Sequence, residues 1–164
     1  MRTPFFPPYA ILKGGIARSD DETTVTMSRE LFHFLIAAAA APTFDPEWYR
    51  NEYPDVVEPI EDGALIDEID HYAQYGYEEG RIPRSFVLDE AWFLEAYGDV
   101  SDAAASGEVA SVGTFYNHVG YLEGRATDEK SEAQAQRWRE AIERSADAVG
   151  LAHRPMEPLK SSSE

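Results

Sequence analysis

The chain has no cysteine among its 164 residues. Disulfides, thiolate zinc sites and cysteine nucleophiles are therefore excluded. The same absence suits a reducing compartment, and a cytoplasmic protein is expected. Basic residues are scarce: 14 Lys and Arg stand against 31 Asp and Glu, a net charge of -17. Such a chain repels a phosphate backbone, so nucleic-acid binding is not expected, whereas a partner with a basic surface would be attracted. Long apolar runs are missing too. The longest, residues 31–41, contains His33 and falls well short of the roughly 20 residues that cross a bilayer. It also lies too far into the chain, behind Asp20-Asp21-Glu22, for a secretory signal. No membrane span is expected.

Signatures of chemistry are equally sparse. No phosphate-binding glycine loop, G-x-S-x-G or H-E-x-x-H occurs. His33 and His153 have no partner at metal-site spacing. Glu61-Asp62 and Asp67-Glu68-Asp70 lack the alternating oxygen ligands and central glycine of a calcium loop. The expectation is a non-enzymatic protein with no catalytic residues, metal or cofactor.

What is present is a period. Residues 44–83 and 88–127 align without a gap at an offset of 44, with identities at Asp45/Asp89, Trp48/Trp92, Tyr53/Tyr97, Asp55/Asp99, Val56/Val100 and Gly63/Gly107. They continue at Tyr72/Tyr116, Gly76/Gly120, Tyr77/Tyr121, Glu79/Glu123, Gly80/Gly124 and Arg81/Arg125. A fixed period of this length marks a duplicated supersecondary unit. Hydrophobic content of 43% suffices for a core.

Each segment reads as helix, turn, helix, turn. Asp45 or Asp89 caps the first helix, and Pro54 or Gly98 stops it. The second helix spans residues 64–75, and Gly76 or Gly120 provides a left-handed end. Around the segments, Ser28 caps a helix over Arg29–Ala40 with Leu31, Phe34 and Leu35 on its inner face. Residues 128–149 form an amphipathic helix with Trp138, Ile142 and Val149 on its apolar side. Residues 1–27 are an arm: either an irregular one, or a hairpin pairing Tyr9–Leu12 with 23–27 across Lys13–Gly15. The expected organisation is thus an arm at 1–27, a capping helix at 28–43, segments at 44–87 and 88–127, a C-terminal helix at 128–150 and a mobile tail at 151–164. The fold class is all-α, two tandem helix-turn-helix units flanked by terminal helices, packed through Trp48, Tyr53, Trp92 and Tyr97.

Side-chain roles divide in two. Arg81 and Arg125 are expected to fold back on Asp55 and Asp99, because a guanidinium suits bidentate carboxylate pairing. Trp48 and Trp92 are expected to anchor the cores rather than stack on sugars. Candidate binding residues are the turn aromatics Tyr77 and Tyr121 and the acids Glu61, Asp62, Asp67 and Glu68. Residues 44–83 carry 12 acids and 2 bases against 7 and 1 in 88–127, so the first segment is the more acidic. His71, replaced by Phe115, is expected to pack rather than ligate.

The pattern Asp45, Trp48-Tyr49, Tyr53-Pro54-Asp55-Val56, His71-Tyr72, Gly76, Glu79-Gly80-Arg81 resembles a short repeat found in many bacterial proteins. That repeat is an appendage of glycosyltransferases and other polysaccharide-biosynthesis proteins, and of some large secreted repeat proteins. The second segment departs from it at Gly98, Phe115 and Thr127. The resemblance implies an interaction or scaffold module serving polysaccharide or glycosyltransferase machinery. Two alternatives stand beside it: direct glycan binding, and an acidic mimic of nucleic acid that occupies a basic partner.

Overall fold

The computed structural model describes residues 6–150, so the tail expected at 151–164 lies outside the described residues. Among these, nine α-helices and one two-stranded antiparallel sheet account for the regular structure. No helix among them is long and apolar enough to cross a membrane. The chain divides into two compact units, Met1–Ser85 and Phe86–Glu164.

The arm does contain a hairpin, in a different register from the expected one. Pro8 is extended, and its carbonyl accepts from Ile11 N at 2.9 Å and Leu12 N at 3.1 Å. That closes a helical turn, α1 (Tyr9–Leu12), where a strand was expected. After a 3-10 turn at Lys13–Gly15, β1 (Ile16–Arg18) pairs with β2 (Val25–Met27), Ile16 opposite Met27. Asp21 ties the connecting loop: its Oδ1 accepts from Ser19 Oγ at 2.6 Å and from Thr23 N at 3.1 Å.

Helix α2 (Arg29–Ala40) starts as expected, with Leu31 N donating to Ser28 Oγ at 3.1 Å. Its inner face differs. Ile36 and Ala40 pack on the core, while Phe34 is 64% exposed. At about 100° per residue, Phe34 lies nearly opposite Ile36. Small alanines around Ile36 let the helix approach on that side.

In the first segment Asp45 caps α3 (Pro46–Glu52), accepting from Trp48 N at 2.9 Å, and Pro46 occupies the tolerated first position. Pro54 does not simply stop the chain. It opens a 3-10 turn, Pro54–Val56, that runs into α4 (Val57–Glu61). Its missing N–H costs nothing at a helix start. The helix expected over 64–75 begins later, because Asp67 caps it through Asp70 N at 3.0 Å. Helix α5 (Glu68–His71) then widens into a π turn at Tyr72–Gly76, closed by Tyr77 N on Tyr72 O at 2.7 Å and Arg81 N on Gly76 O at 2.8 Å.

The second segment repeats this with α6 (Glu90–Ala96), α7 (Gly98–Ser106), α8 (Val112–Phe115) and a π turn at Tyr116–Gly120. Each segment therefore holds three short helices rather than two. Helix α9 (Glu129–Ala148) follows, fixed by a reciprocal capping box between Asp128 and Ser131.

Gly76 and Gly120 are not left-handed; that conformation belongs to Gly80 (φ 76) and Gly124 (φ 68). A Cβ on Gly76 would collide with the Tyr49 hydroxyl, and one on Gly120 would sit 2.9 Å from the Tyr116 ring. These glycines exist for close approach of an aromatic ring.

Each unit has its own aromatic core. Tyr49, Val56 and Tyr72 are buried in the first, and Phe93, Val100 and Tyr116 occupy the matching places in the second. Trp48 and Trp92 are half-buried flanks, not anchors. They stand edge-on to Tyr53 (6.2 Å, 88°) and Tyr97 (6.0 Å, 87°), so each pair packs within its own unit. Tyr49 and Phe93, at 0% exposure, are the anchors. One helical step separates Trp48 from Tyr49, and only the smaller ring points inward.

Candidate functional site

The residues shared by the two segments are consumed in one device built twice. Arg81 donates through Nη1 and Nη2 to the two carboxylate oxygens of Asp55, both at 2.8 Å, and through Nε to Glu79 at 2.7 Å. Its guanidinium lies 4.9 Å over the Tyr53 ring, and the Tyr53 hydroxyl accepts from Ile82 N at 3.1 Å. In the second unit Arg125 binds Asp99 at 2.9 and 2.6 Å, Glu123 at 2.6 Å, and covers Tyr97 at 4.9 Å. Ala126 N donates to the Tyr97 hydroxyl at 2.9 Å. Asp45 N to Pro83 O (3.1 Å) and Asp89 N to Thr127 O (3.0 Å) close each segment end to end.

The arrangement is a staple. One guanidinium joins the start of the middle helical stretch to the turn after the π turn, and an aromatic ring supports it from below. The Arg81 hydrogen bonds hold the Asp55 carboxyl below its ordinary range, and Arg125 does the same to Asp99. In return, the bonds to Asp55 raise the basicity of Arg81. All three nitrogens of each group are directed at fixed carboxylates, which leaves less of it for a ligand.

The segments differ in two contacting pairs, one buried and one half-buried, and each pair changes as a unit. In the first, the Tyr49 hydroxyl and His71 Nδ1 are 3.1 Å apart, with His71 7% exposed. The second has Phe93 and Phe115 at those places. Likewise Arg50 Nε donates to Glu68 at 2.7 Å where the second unit has Leu94 and Val112 packed on its core. Glu68 is buried at 8% exposure, so its expected role as a binding acid gives way to an ion pair with the half-exposed Arg50. His71 is more deeply buried than a half-exposed packing residue, and it carries a hydrogen bond as well.

Two predictions arise here. Desolvation, helped by Arg81, pushes His71 below its ordinary pKa of 6.5, against smaller opposite pulls from Glu79, Asp55 and Asp70. The unfolded chain therefore binds this proton first as pH falls. The stabilisation is fully present above pH 6.5 and is lost as pH drops from there through the folded value. Protection of first-unit amides against hydrogen exchange should fall between neutral and mildly acidic pH, and the Tyr49→Phe/His71→Phe double variant should abolish that dependence. The single His71→Phe strands a buried hydroxyl and should cost about 1–3 kcal/mol at neutral pH. Second, Arg50→Leu alone leaves Glu68 uncompensated and should cost about 1–3 kcal/mol. Arg50→Leu with Glu68→Val imports the second unit's pair and should recover most of that loss in urea unfolding.

The remaining candidates scatter. Asp67 is an N-cap. Tyr121 stacks on Phe86 at 5.1 Å and 28°, and is half-buried. Tyr77 is 48% exposed and meets Tyr72 edge-on at 6.0 Å. Glu61 and Asp62 are exposed at the end of α4, with Glu58 exposed on the same helix. Sequence reasoning missed two further exposed residues of the first segment, Ile66 at 74% exposure and Tyr75 at 50%. Their signal was available: Glu61, Asp62, Ile66 and Tyr75 all change in the other copy, to Ala105, Ser106, Ala110 and Val119. Among the described residues no group of three His, Asp or Glu side chains is arranged to hold a metal ion. Comparison with family models, with curated proteins and with solved structures finds no match.

Proposed function

We propose that the chain is a non-enzymatic interaction module whose docking face is the acidic surface of the first segment. One observation carries this reading. Most residues common to both segments are spent on caps, cores and staples, while Glu58, Glu61, Asp62 and Ile66 are exposed and their side chains hold no hydrogen bond or ion pair among the described residues. An apolar side chain amid solvated carboxylates suits a protein partner with a basic rim. The resemblance of 44–83 to the repeat appended to glycosyltransferases points to polysaccharide-biosynthesis machinery in a bacterial cytoplasm. Affinity purification from polysaccharide-producing cells should recover a protein of that machinery with the wild-type chain. It should fail with Glu58→Gln/Glu61→Gln/Asp62→Gln. Recovery of none, or recovery indifferent to the three substitutions, overturns the reading.

A second reading has its own observation. Tyr75 and Tyr77 are both about half exposed and adjoin Glu78 and Glu79, an arrangement that suits stacking on a sugar with polar contacts at its rim. Calorimetry against a glycan panel, with Tyr75→Ala/Tyr77→Ala as control, decides it. Heat that survives the double substitution rules it out.

A further inference from the structure

Helix α9 leaves an apolar stripe uncovered. One side of it packs on its own unit: Glu132 receives the Tyr97 hydroxyl at 3.3 Å and binds Arg139 at 2.6 Å, and Arg139 reaches Gly124 O at 3.2 Å. Trp138 and Ile142, one turn apart, remain 63% and 55% exposed, and Val149 just past the helix end is 53% exposed. Along one edge of this stripe run Lys130, Arg137 and Arg144, spaced seven apart and all exposed. At about 100° per residue, that spacing puts them nearly in line. Arg144 is 3.9 Å from Glu140, and among the described residues Lys130 and Arg137 have no ion-pair partner. In a chain of net charge -17, this is a concentrated basic edge beside a large apolar surface.

The complement is on the same chain. The first segment has 12 acids and 2 bases, and both bases, Arg50 and Arg81, are already engaged inside it. Its surface therefore presents uncompensated carboxylates at Glu58, Glu61 and Asp62, beside the exposed Ile66. A basic-edged apolar helix and an acid-rimmed apolar knob match in both charge and chemistry.

We propose that α9 of one molecule docks on the acidic α4–α5 surface of a second copy, Trp138 and Ile142 against Ile66 and the three arginine and lysine side chains against Glu58, Glu61 and Asp62. The contact joins two different surfaces, so it is heterologous and propagates head to tail into rings or filaments. It rests on the reading of that acidic surface as a docking face and names its occupant.

Sedimentation velocity of the full chain over a range of concentrations tests it. Association should grow with concentration and weaken at high salt, since exposed charges are screened. Arg137→Glu/Arg144→Glu, Trp138→Ser/Ile142→Ser and Glu61→Lys/Asp62→Lys should each weaken it at least about tenfold. All are surface changes, so circular dichroism and melting should stay as in the wild type. Mixing the Arg137→Glu/Arg144→Glu chain with the Glu61→Lys/Asp62→Lys chain should restore association that neither has alone. A monomer at every concentration overturns the proposal. So does association that Glu61→Lys/Asp62→Lys leaves intact, which would mean that α9 pairs with another α9. The affinity purification separates this failure from that of the wider reading. A monomeric chain that still recovers polysaccharide-biosynthesis proteins through Glu61 and Asp62 overturns self-association alone.

Discussion

Tyr49→Ala in the first unit and Phe93→Ala in the second are each expected to cost about 3–5 kcal/mol. Trp48→Ala and Trp92→Ala should cost roughly half as much, despite the larger side chain. The reason is position. Tyr49 and Phe93 are fully enclosed, and each is ringed by aromatic neighbours: Phe44 at 5.1 Å, Tyr53 at 4.9 Å and Tyr72 at 5.9 Å around Tyr49. Around Phe93 stand Tyr97 at 4.7 Å and Tyr116 at 5.7 Å. Removing the central ring leaves a cavity that three short helices cannot close, because the first and third are pinned by side-chain caps and the middle stretch by the staple. The tryptophans keep one face in water and lose less. Urea unfolding of the four variants measures the difference, and a larger loss at Trp48 than at Tyr49 would reverse the assignment of anchors. Tyr49→Ala carries an additional penalty that Phe93→Ala does not, since it strands His71 without its hydroxyl partner.

Arg81→Ala is expected to cost about 2 kcal/mol. It removes a bidentate pair with Asp55, the bond to Glu79 and the cover over Tyr53 at one stroke. The loss stays below the sum of those bonds, because the Asp55 side chain is 59% exposed and water solvates it when the partner goes. Arg81→Lys should recover only part of the loss, since an ammonium cannot offer the planar fork that meets both carboxylate oxygens and the ring. Acidification should act on the same element. The staple holds Asp55 and Asp99 below their ordinary value of 3.8, so its stabilisation is present above that value and is lost as pH falls through the depressed ones.

The staple was the most legible part of the molecule. A charge pair kept at one spacing in both copies, between glycines, leaves few partners for Arg81 other than Asp55. The caps at Ser28, Asp45 and Asp89 were readable because a side-chain oxygen before an apolar run has a local task. What was hidden depends on contacts across the unit. Trp48 and Tyr49 are adjacent on one short helix, and the rings of Phe44, Tyr53 and Tyr72 together with the room left at Gly76 receive Tyr49 in the core. Gly76 looks like a helix end until the Tyr49 hydroxyl is seen against it. Pro54 reads as a stop, although it starts the next turn. The joint replacement of Tyr49 and His71 by two phenylalanines, and of Arg50 and Glu68 by leucine and valine, was visible in the alignment of the chain with itself. Paired changes of polarity at two positions are what a side-chain contact with a buried member leaves behind, and that is the signal that would have found both pairs.

On this account, what the two segments share holds the fold, and recognition is proposed only for the exposed positions that they do not share, Glu61, Asp62 and Ile66. Hydrogen exchange resolved by segment on the Arg81→Ala chain tests this most directly. The account predicts loss of amide protection across residues 46–82, little change across 90–126, and unchanged self-association through α9 wherever the first unit remains folded. Full protection of 46–82 without Arg81, together with lost association, would place that arginine in the binding surface and contradict the account.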